Sequence, residues 1–278
     1  YKSFTSFRNK ISKLEQFSIM QINIRGINDY TKFEKFKLML STLKYKFDIM
    51  ILGETKLKAT SPKSLYNLPG YDMYMSCRKS YKSSKGKLVG GGGLIVYVKK
   101  EIIVIKHETF SSSFDKIRLD ICQNKQKMKI LGYYRPPESQ KIKNIDEFID
   151  DVEEELMDST GRIILVGDIN IDISENTKHT IKYKNLIHGY DMQIINNNIT
   201  RDISEKIIDH VTVNFYDSCH IAVHTMSLDK NFSDHNMIVT SIEDMEAAND
   251  KPEVRTYNIL DYEMLNDIIH NSQKLKDI

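Results

Sequence analysis

Apolar residues along this chain fall into short continuous runs separated by polar turns. The runs at residues 18–24, 48–52, 93–98, 129–134, 162–167, 207–213, 221–227 and 237–241 predict buried strands. Most are rich in Ile, Val and Tyr and end in Gly, Asn or Asp, the composition of a strand buried on both faces and closed by a turn former. Elsewhere the spacing changes to steps of three and four. Over 31–46 the stripe is Phe33, Phe36, Leu40, Leu43 and Phe47; over 144–158 it is Ile145, Phe148, Val152 and Leu156. Both predict amphipathic helices, the second with Asn144 as N-cap and Glu147 completing a capping box. A weaker helical pattern covers 179–188. Past about Glu243 the strand pattern stops. Residues 247–252 read as a linker, and 256–278 carry a faint helical pattern through Leu260, Met264, Ile268 and Ile269, so this tail is expected to pack poorly or to belong to a following segment. Strands outnumber helices and the two are interspersed, which predicts an α/β layered sandwich with a sizeable β-core.

The chain is 278 residues long, enough for one large domain or two small ones. Its 40 Lys+Arg nearly balance 38 Asp+Glu, so any positive surface for a polyanion must be local. Three widely spaced cysteines argue against a disulfide framework or a cysteine zinc site, and a reducing compartment, nucleus or cytoplasm, is expected. No apolar leader opens the sequence, and no run approaches the ~18 residues of a membrane span. A first residue other than Met fits a segment of a longer chain.

What changes the picture is where carboxylates and amides stand. Glu54 follows the run IMILG, Asp168 and Asn170 follow IILVG, Asp209 follows KII, Asn23 sits inside MQINI, and Asp234 and His235 precede the run at Met237. Strand ends in a layered α/β fold open onto the crevice where ligands collect. Acids gathered there repel unless a cation neutralises them, and an all-oxygen set points to Mg²⁺ over Zn²⁺. Phosphoester hydrolysis needs this inventory: a metal for the phosphate, a carboxylate for the attacking water, a donor for charge on phosphorus. Glu54 and Asn23 are candidate metal ligands. Asp168 is the candidate base, with Asn170 turned toward phosphate. His235 is the candidate donor, with Asp209 or Asp234 fixing its tautomer.

The ordered set INIRG, GETKL, YRPP, GDIN, IDHV and SDH resembles the endonuclease/exonuclease/phosphatase superfamily over residues 18–242, and within it the apurinic-type endonuclease of LINE-like, non-LTR retrotransposons. The resemblance implies a four-layer α/β sandwich, two packed mixed β-sheets flanked by helices. It implies an N-terminal extension at 1–17, a catalytic domain at 18–245, and a linker and tail at 246–278 leading to a covalently continuous reverse transcriptase. Metal sites carry over to Asn23, Glu54 and Asp234, with Mg²⁺ as cofactor and Mn²⁺ as substitute. Catalytic roles carry over to Tyr134, Asp168, Asn170, Asp209, Asp234 and His235. The partner implied is a double-stranded DNA target, nicked to leave a 3′-hydroxyl for target-primed reverse transcription, with no membrane and no further small-molecule cofactor. Arg25 and Arg135, inside the INIRG and YRPP motifs, are candidate nucleic-acid contacts. The sequence departs from the repair enzymes of the superfamily. Arg25 stands where they often carry an acid, and Pro137 replaces their Asn after the Tyr motif. No Trp is present, which removes the Trp signatures of inositol polyphosphate phosphatases.

Taken singly, each position also has a plain structural reading. Asn23 and Asn170 are turn formers, Glu54 a strand-end charge, Tyr134 a half-buried core ring, Ser233–His235 a tight turn. Of the pair Asp209 and His210, the motif favours Asp209. The basic stretch 79–87, with Lys79, Lys82 and Lys85, either lines a phosphate-backbone groove or is a solvated loop. The glycines at 90–93 lack the Lys-Ser/Thr ending of a phosphate loop.

Overall fold

A computed structural model describes residues 17–77, 81–82, 88–89, 91–123, 126–137, 145–157, 161–244 and 253–259; at 81–82, 88–89, and all of 253–259 except Val254 and Thr256, only the backbone is described. In chain order the elements are β1 (Phe17–Asn23), α1 (Tyr30–Leu43), β2 (Ile49–Gly53), β3 (Tyr71–Ser76), β4 (Tyr81–Lys82), β5 (Leu88–Val89), β6 (Leu94–Lys99), β7 (Ile103–Ser111), β8 (Asp115–Gln123) and β9 (Gln126–Tyr134). There follow α2 (Ile145–Met157), β10 (Arg162–Asp168), α3 (Lys178–Gly189), β11 (Gln193–Ile194), β12 (Asp209–Val213), β13 (Cys219–Met226), β14 (Met237–Asp244) and β15 (Glu253–Ile259).

Two mixed sheets stack face to face. One has seven strands in the order β15-β13-β14-β1-β2-β6-β3, the other six in the order β11-β12-β10-β9-β8-β7. Alternation along each strand sorts side chains between layers. Ile19, Ile49, Ile51 and Val96 of the first sheet meet Ile117, Leu119, Ile130, Ile164, Val166 and Val211 of the second in the central core. The opposite-facing Met20, Ile22, Met50 and Leu52 pack under Phe33, Phe36, Met39 and Leu43 of α1. Likewise Leu131, Tyr133, Ile163 and Leu165 pack under Phe148 and Val152 of α2 and Tyr183 and Ile187 of α3. The expected four-layer sandwich of two mixed sheets with flanking helices is the observed one. Strands buried on both faces explain the continuous apolar runs.

The departures from the sequence reading follow from the same rule. Strands β3, β7 and β8 were not anticipated. In β8 the apolar Ile117, Leu119 and Ile121 alternate with Lys116, Arg118 and Asp120, so no run forms. The polar face is nevertheless covered: Lys116, Arg118 and Lys129 approach Glu155 of α2 at 3.0, 3.2 and 3.4 Å. Helix α1 ends earlier than its stripe, because Lys44 adopts a left-handed conformation (φ 51°) that stops it. The proposed cap Asn144 lies outside the described residues. Part of the expected tail is a strand: β15 pairs in parallel with β13 from His220↔Glu253 to Met226↔Ile259, extending the sheet edge. Its sequence EVRTYNI scatters its apolar residues instead of forming a run, and edge pairing rewards backbone hydrogen bonds more than apolar side chains.

Candidate active site

Topology brings six strand ends to one rim of the central layer. Parallel pairing of β1 with β2 aligns Asn23 with Gly53, just before Glu54. Parallel pairing of β9 with β10 sets Tyr134 beside Asp168, and antiparallel pairing of β10 with β12 sets Asp168 beside Asp209. Strand β14 runs antiparallel to β1, so the turn before it brings Asp234 and His235 to the same rim. Gln21, Asn23, Tyr134, Asp168 and Asp209 occupy inward-facing positions of their strands, continuing the periodicity that points Ile19, Ile164 and Val211 into the core.

The side chains close a hydrogen-bonded network. Asp209 Oδ2 lies 2.7 Å from His235 Nδ1, and its Oδ1 accepts from Gln21 Nε2 at 2.8 Å. Asn23 Nδ2 donates to Asp168 Oδ2 at 2.6 Å and lies 3.5 Å from His235 Nε2, while Asn23 Oδ1 accepts from the Arg25 amide at 3.0 Å. Ser233 ties the His235 turn to β1, donating to the Asn23 carbonyl at 2.6 Å and accepting from the His235 amide at 3.0 Å. Ligand atoms of Asp168, Asp209 and His235 all lie within 4.8 Å of one another. Burial and the negative charge of Asp209 push the Asp168 carboxyl up to about 7, with Glu54 adding to the rise and His235 and the Asn23 bond opposing it. Burial would lower the His235 pKa, but the charges of Asp209 and Asp168 prevail and hold it at about 9. At neutral pH the site therefore presents a proton acceptor and a cationic donor within one buried cluster.

Both Asp209 oxygens and His235 Nδ1 are already engaged, so neither is spare for a cation. Glu54, part-exposed and paired with Lys56 at 3.0 Å, and the Asp168 carboxylate lie at the rim, with the Asn23 amide oxygen nearby. Glu54 and Asp209 both make ionised Asp168 less favourable, an excess of negative charge that a divalent cation would relieve. An oxygen donor set of this kind fits Mg²⁺ or Mn²⁺.

Other predicted positions fall differently. Asp234, a candidate metal ligand, lies between two arginines: Arg25 Nη1 is 3.0 Å from Oδ1, and Arg201 Nε and Nη2 bond Oδ2 at 3.0 and 2.9 Å. These cations and His235 hold its pKa down against the effect of burial. Asn170, in a left-handed turn (φ 52°), donates its side-chain amide to the Arg135 carbonyl at 2.7 Å. Arg135, a candidate nucleic-acid contact, is buried, and its guanidinium donates to the carbonyls of Ile169 at 2.7 Å and Asn170 at 2.8 Å. It braces the loop that carries Asn170. Arg25 keeps an exposed side chain, 46% accessible. Lys79 and Lys85 lie outside the described residues, as does the side chain of Lys82. Gln21, Lys32 and Arg201 carry no motif signal in the sequence. Gln21 was the most findable, a lone amide in an apolar strand two residues before Asn23.

Strand alternation also resolves the pair Asp209 and His210. His210 faces outward, stacked on Tyr183 at 5.4 Å with Nε2 3.2 Å from the Ile207 carbonyl. Burial lowers its pKa from 6.5 to about 4. Because the folded value lies below the unfolded one, its contribution is complete above about pH 6.5 and is lost as pH falls toward 4. His210→Phe preserves the stacked ring and removes this proton linkage. In urea unfolding, the wild type is expected to lose about 3 kcal/mol more than the variant across that window. Parallel pH profiles for the two proteins would refute the assignment.

No protein-family model matches the sequence, and no curated protein matches it. Solved structures do match the fold. An endonuclease/exonuclease/phosphatase family protein from Leptotrichia buccalis aligns with TM-score 0.60 and 16% identity, over 82% of this chain and 99% of that one. A Neisseria 3′ phosphatase, NExo, bound to a product DNA hairpin aligns with TM-score 0.60 and 15% identity, over 82% and 100%. A mannosyl-6-phosphatase from Bacteroides thetaiotaomicron aligns with TM-score 0.58 and 15% identity, over 81% and 99%. The chain thus has the sandwich fold found in endonuclease/exonuclease/phosphatase proteins.

Proposed function

We propose that this chain is a divalent-metal-dependent phosphodiesterase that nicks double-stranded DNA and leaves a 3′-hydroxyl. We propose further that it is the endonuclease part of a non-LTR retrotransposon protein whose reverse transcriptase extends that end, working in the nucleus or cytoplasm. The observation that carries the catalytic reading is the chain of contacts Gln21–Asp209–His235–Asn23–Asp168, assembled from strands distant in sequence. Asp168 has the pKa of a base that takes a proton from water near neutrality. His235, oriented by Asp209 at Nδ1, turns Nε2–H toward the cluster, where it donates to a phosphoryl oxygen. Tyr134, beside Asp168 on the same face, sets its ring next to Gly53, just before Glu54. Glu54 and Asn23, with Asp168, would hold Mg²⁺ or Mn²⁺, whose chemistry there is to neutralise charge on the phosphoryl group. The DNA assignment is supported by the ordered motif set and the exposed Arg25, and a relative of the same fold is described with DNA bound.

A rival substrate, a small phosphorylated molecule, is favoured by the sugar phosphatase among the structural neighbours. Purified protein with Mg²⁺ is expected to convert supercoiled plasmid to open circle, with chelator abolishing the conversion and a polymerase extending the new ends. Phosphate release from mannose 6-phosphate without plasmid nicking would transfer the assignment to the rival. No hydrolysis of either would defeat the enzymatic reading altogether.

A further inference from the structure

We infer that Lys32, Arg25 and Arg201 form an anion subsite beside the catalytic cluster, which takes a phosphate next to the scissile one in a nucleic-acid strand. The inference rests on the phosphodiesterase reading above and deepens it by assigning part of the substrate to residues that the motifs do not name.

The subsite is built around Asp234. Its carboxylate, only 3% exposed, is shared between Arg25 at 3.0 Å and Arg201 at 2.9 Å, so the bridge carries a net positive charge. Both guanidiniums keep an open side, with side chains 46% and 36% accessible. Arg25 engages Asp234 through Nη1 alone, and Arg201 through Nε and Nη2; the remaining guanidinium N–H groups meet no acceptor among the described residues. Asp234 thus fixes the Arg201 plane through two hydrogen bonds and holds Arg25 beside it as an ion pair, an arrangement of cations that suits phosphate oxygens.

Lys32 adds a third cation. It projects from the first turn of α1, half-buried, with its ammonium 5.4 Å from the ring centre of Phe232, two residues before Asp234. Among the described residues it makes no ion pair. Its neighbours include Lys56 and Arg25, which repel it, and Glu54 and Asp234, which attract it. Neither carboxylate serves Lys32: Asp234 is shared by the arginines, and Glu54 lies 3.0 Å from Lys56 and is a proposed metal ligand. A partly desolvated ammonium among cations whose carboxylates are spent is unfavourable until an anion arrives. Asp234 immediately precedes His235 in the chain, so that anion lies next to the reacting group. A substrate with one phosphorus leaves the subsite empty; a polynucleotide fills it with its adjacent phosphate.

Binding of a short fluorescent DNA duplex to Asp168→Asn protein, followed by anisotropy across a salt series, tests this without needing turnover. Lys32→Gln and Arg201→Gln are each expected to weaken binding about tenfold and to reduce the salt slope by about 0.9, the loss of one phosphate contact. Lys32→Arg should retain wild-type affinity and slope. Unchanged affinity and slope in both Gln variants would overturn the subsite; should Arg201→Gln unfold, Lys32→Gln alone decides. A sugar monophosphate displacing the duplex at equimolar concentration would overturn the preference for a chain. Failure of the phosphodiesterase reading shows separately, as wild-type protein that binds duplex with the expected Lys32 dependence and cuts nothing.

Discussion

Asp168→Asn is expected to lower the turnover of plasmid nicking by about two to four orders of magnitude, the usual scale for removing a positioned proton acceptor. The substitution keeps the shape of the side chain but leaves one acceptor oxygen in place of two, so only one of the contacts from Asn23 and the Asn170 amide can persist. It removes the capacity to take up a proton, which the buried carboxyl is poised to do at about 7, together with one of the charged oxygens proposed to hold the metal. Stability supplies an independent readout. The carboxylate sits against the like charges of Asp209 and Glu54, and neutralising it relieves that repulsion. The variant should therefore unfold at the same denaturant concentration as the wild type or higher, an exchange of stability for activity typical of catalytic carboxylates. Combined with His235→Ala, the loss should be far smaller than the product of the single losses, since the two groups act on one step. Turnover within tenfold of wild type would remove Asp168 from the chemistry.

Gly167→Ala has the largest expected effect on folding. A Cβ at this position would stand 1.8 Å from the Tyr133 carbonyl oxygen and 2.8 Å from its carbon, on backbone with φ +149°. Gly167 and Tyr133 are register partners in the parallel pair β9–β10, so the clash is with rigid strand backbone. Side chains cannot yield here, and β10 must move away from β9 one residue before Asp168. Destabilisation of at least about 3 kcal/mol is expected in urea unfolding, with nicking impaired in whatever folds. Gly132→Ala is the control. Its Cβ would meet Leu94 and Val96 methyl groups at 3.4 Å, contacts that small side-chain shifts absorb. A Gly167→Ala protein as stable as Gly132→Ala would show that the close approach of the two strands is not needed.

Much of the architecture was readable before any coordinates. Runs such as IMILG and IILVG have no polar face, so they can only be strands sandwiched between layers. Polar groups ending such runs, Asn23, Glu54 and Asp168, had to emerge at strand ends. Strands with one charged face escaped the same test. In β8 the charges of Lys116 and Arg118 are matched by Glu155 of α2, a partner that no local window contains. The edge strand β15 escaped because its backbone pairing with β13 depends on a neighbour more than thirty residues away.

Residue types and their order along the chain determined which groups were available for chemistry, because strand periodicity dictates which of them face the central layer. Tertiary structure alone decided how those groups pair. It withdrew Arg135 into a loop brace and placed Asp234 between Arg25 and Arg201. The reason is physical: a charge's role depends on distance and desolvation, and neither quantity exists until distant strands have packed.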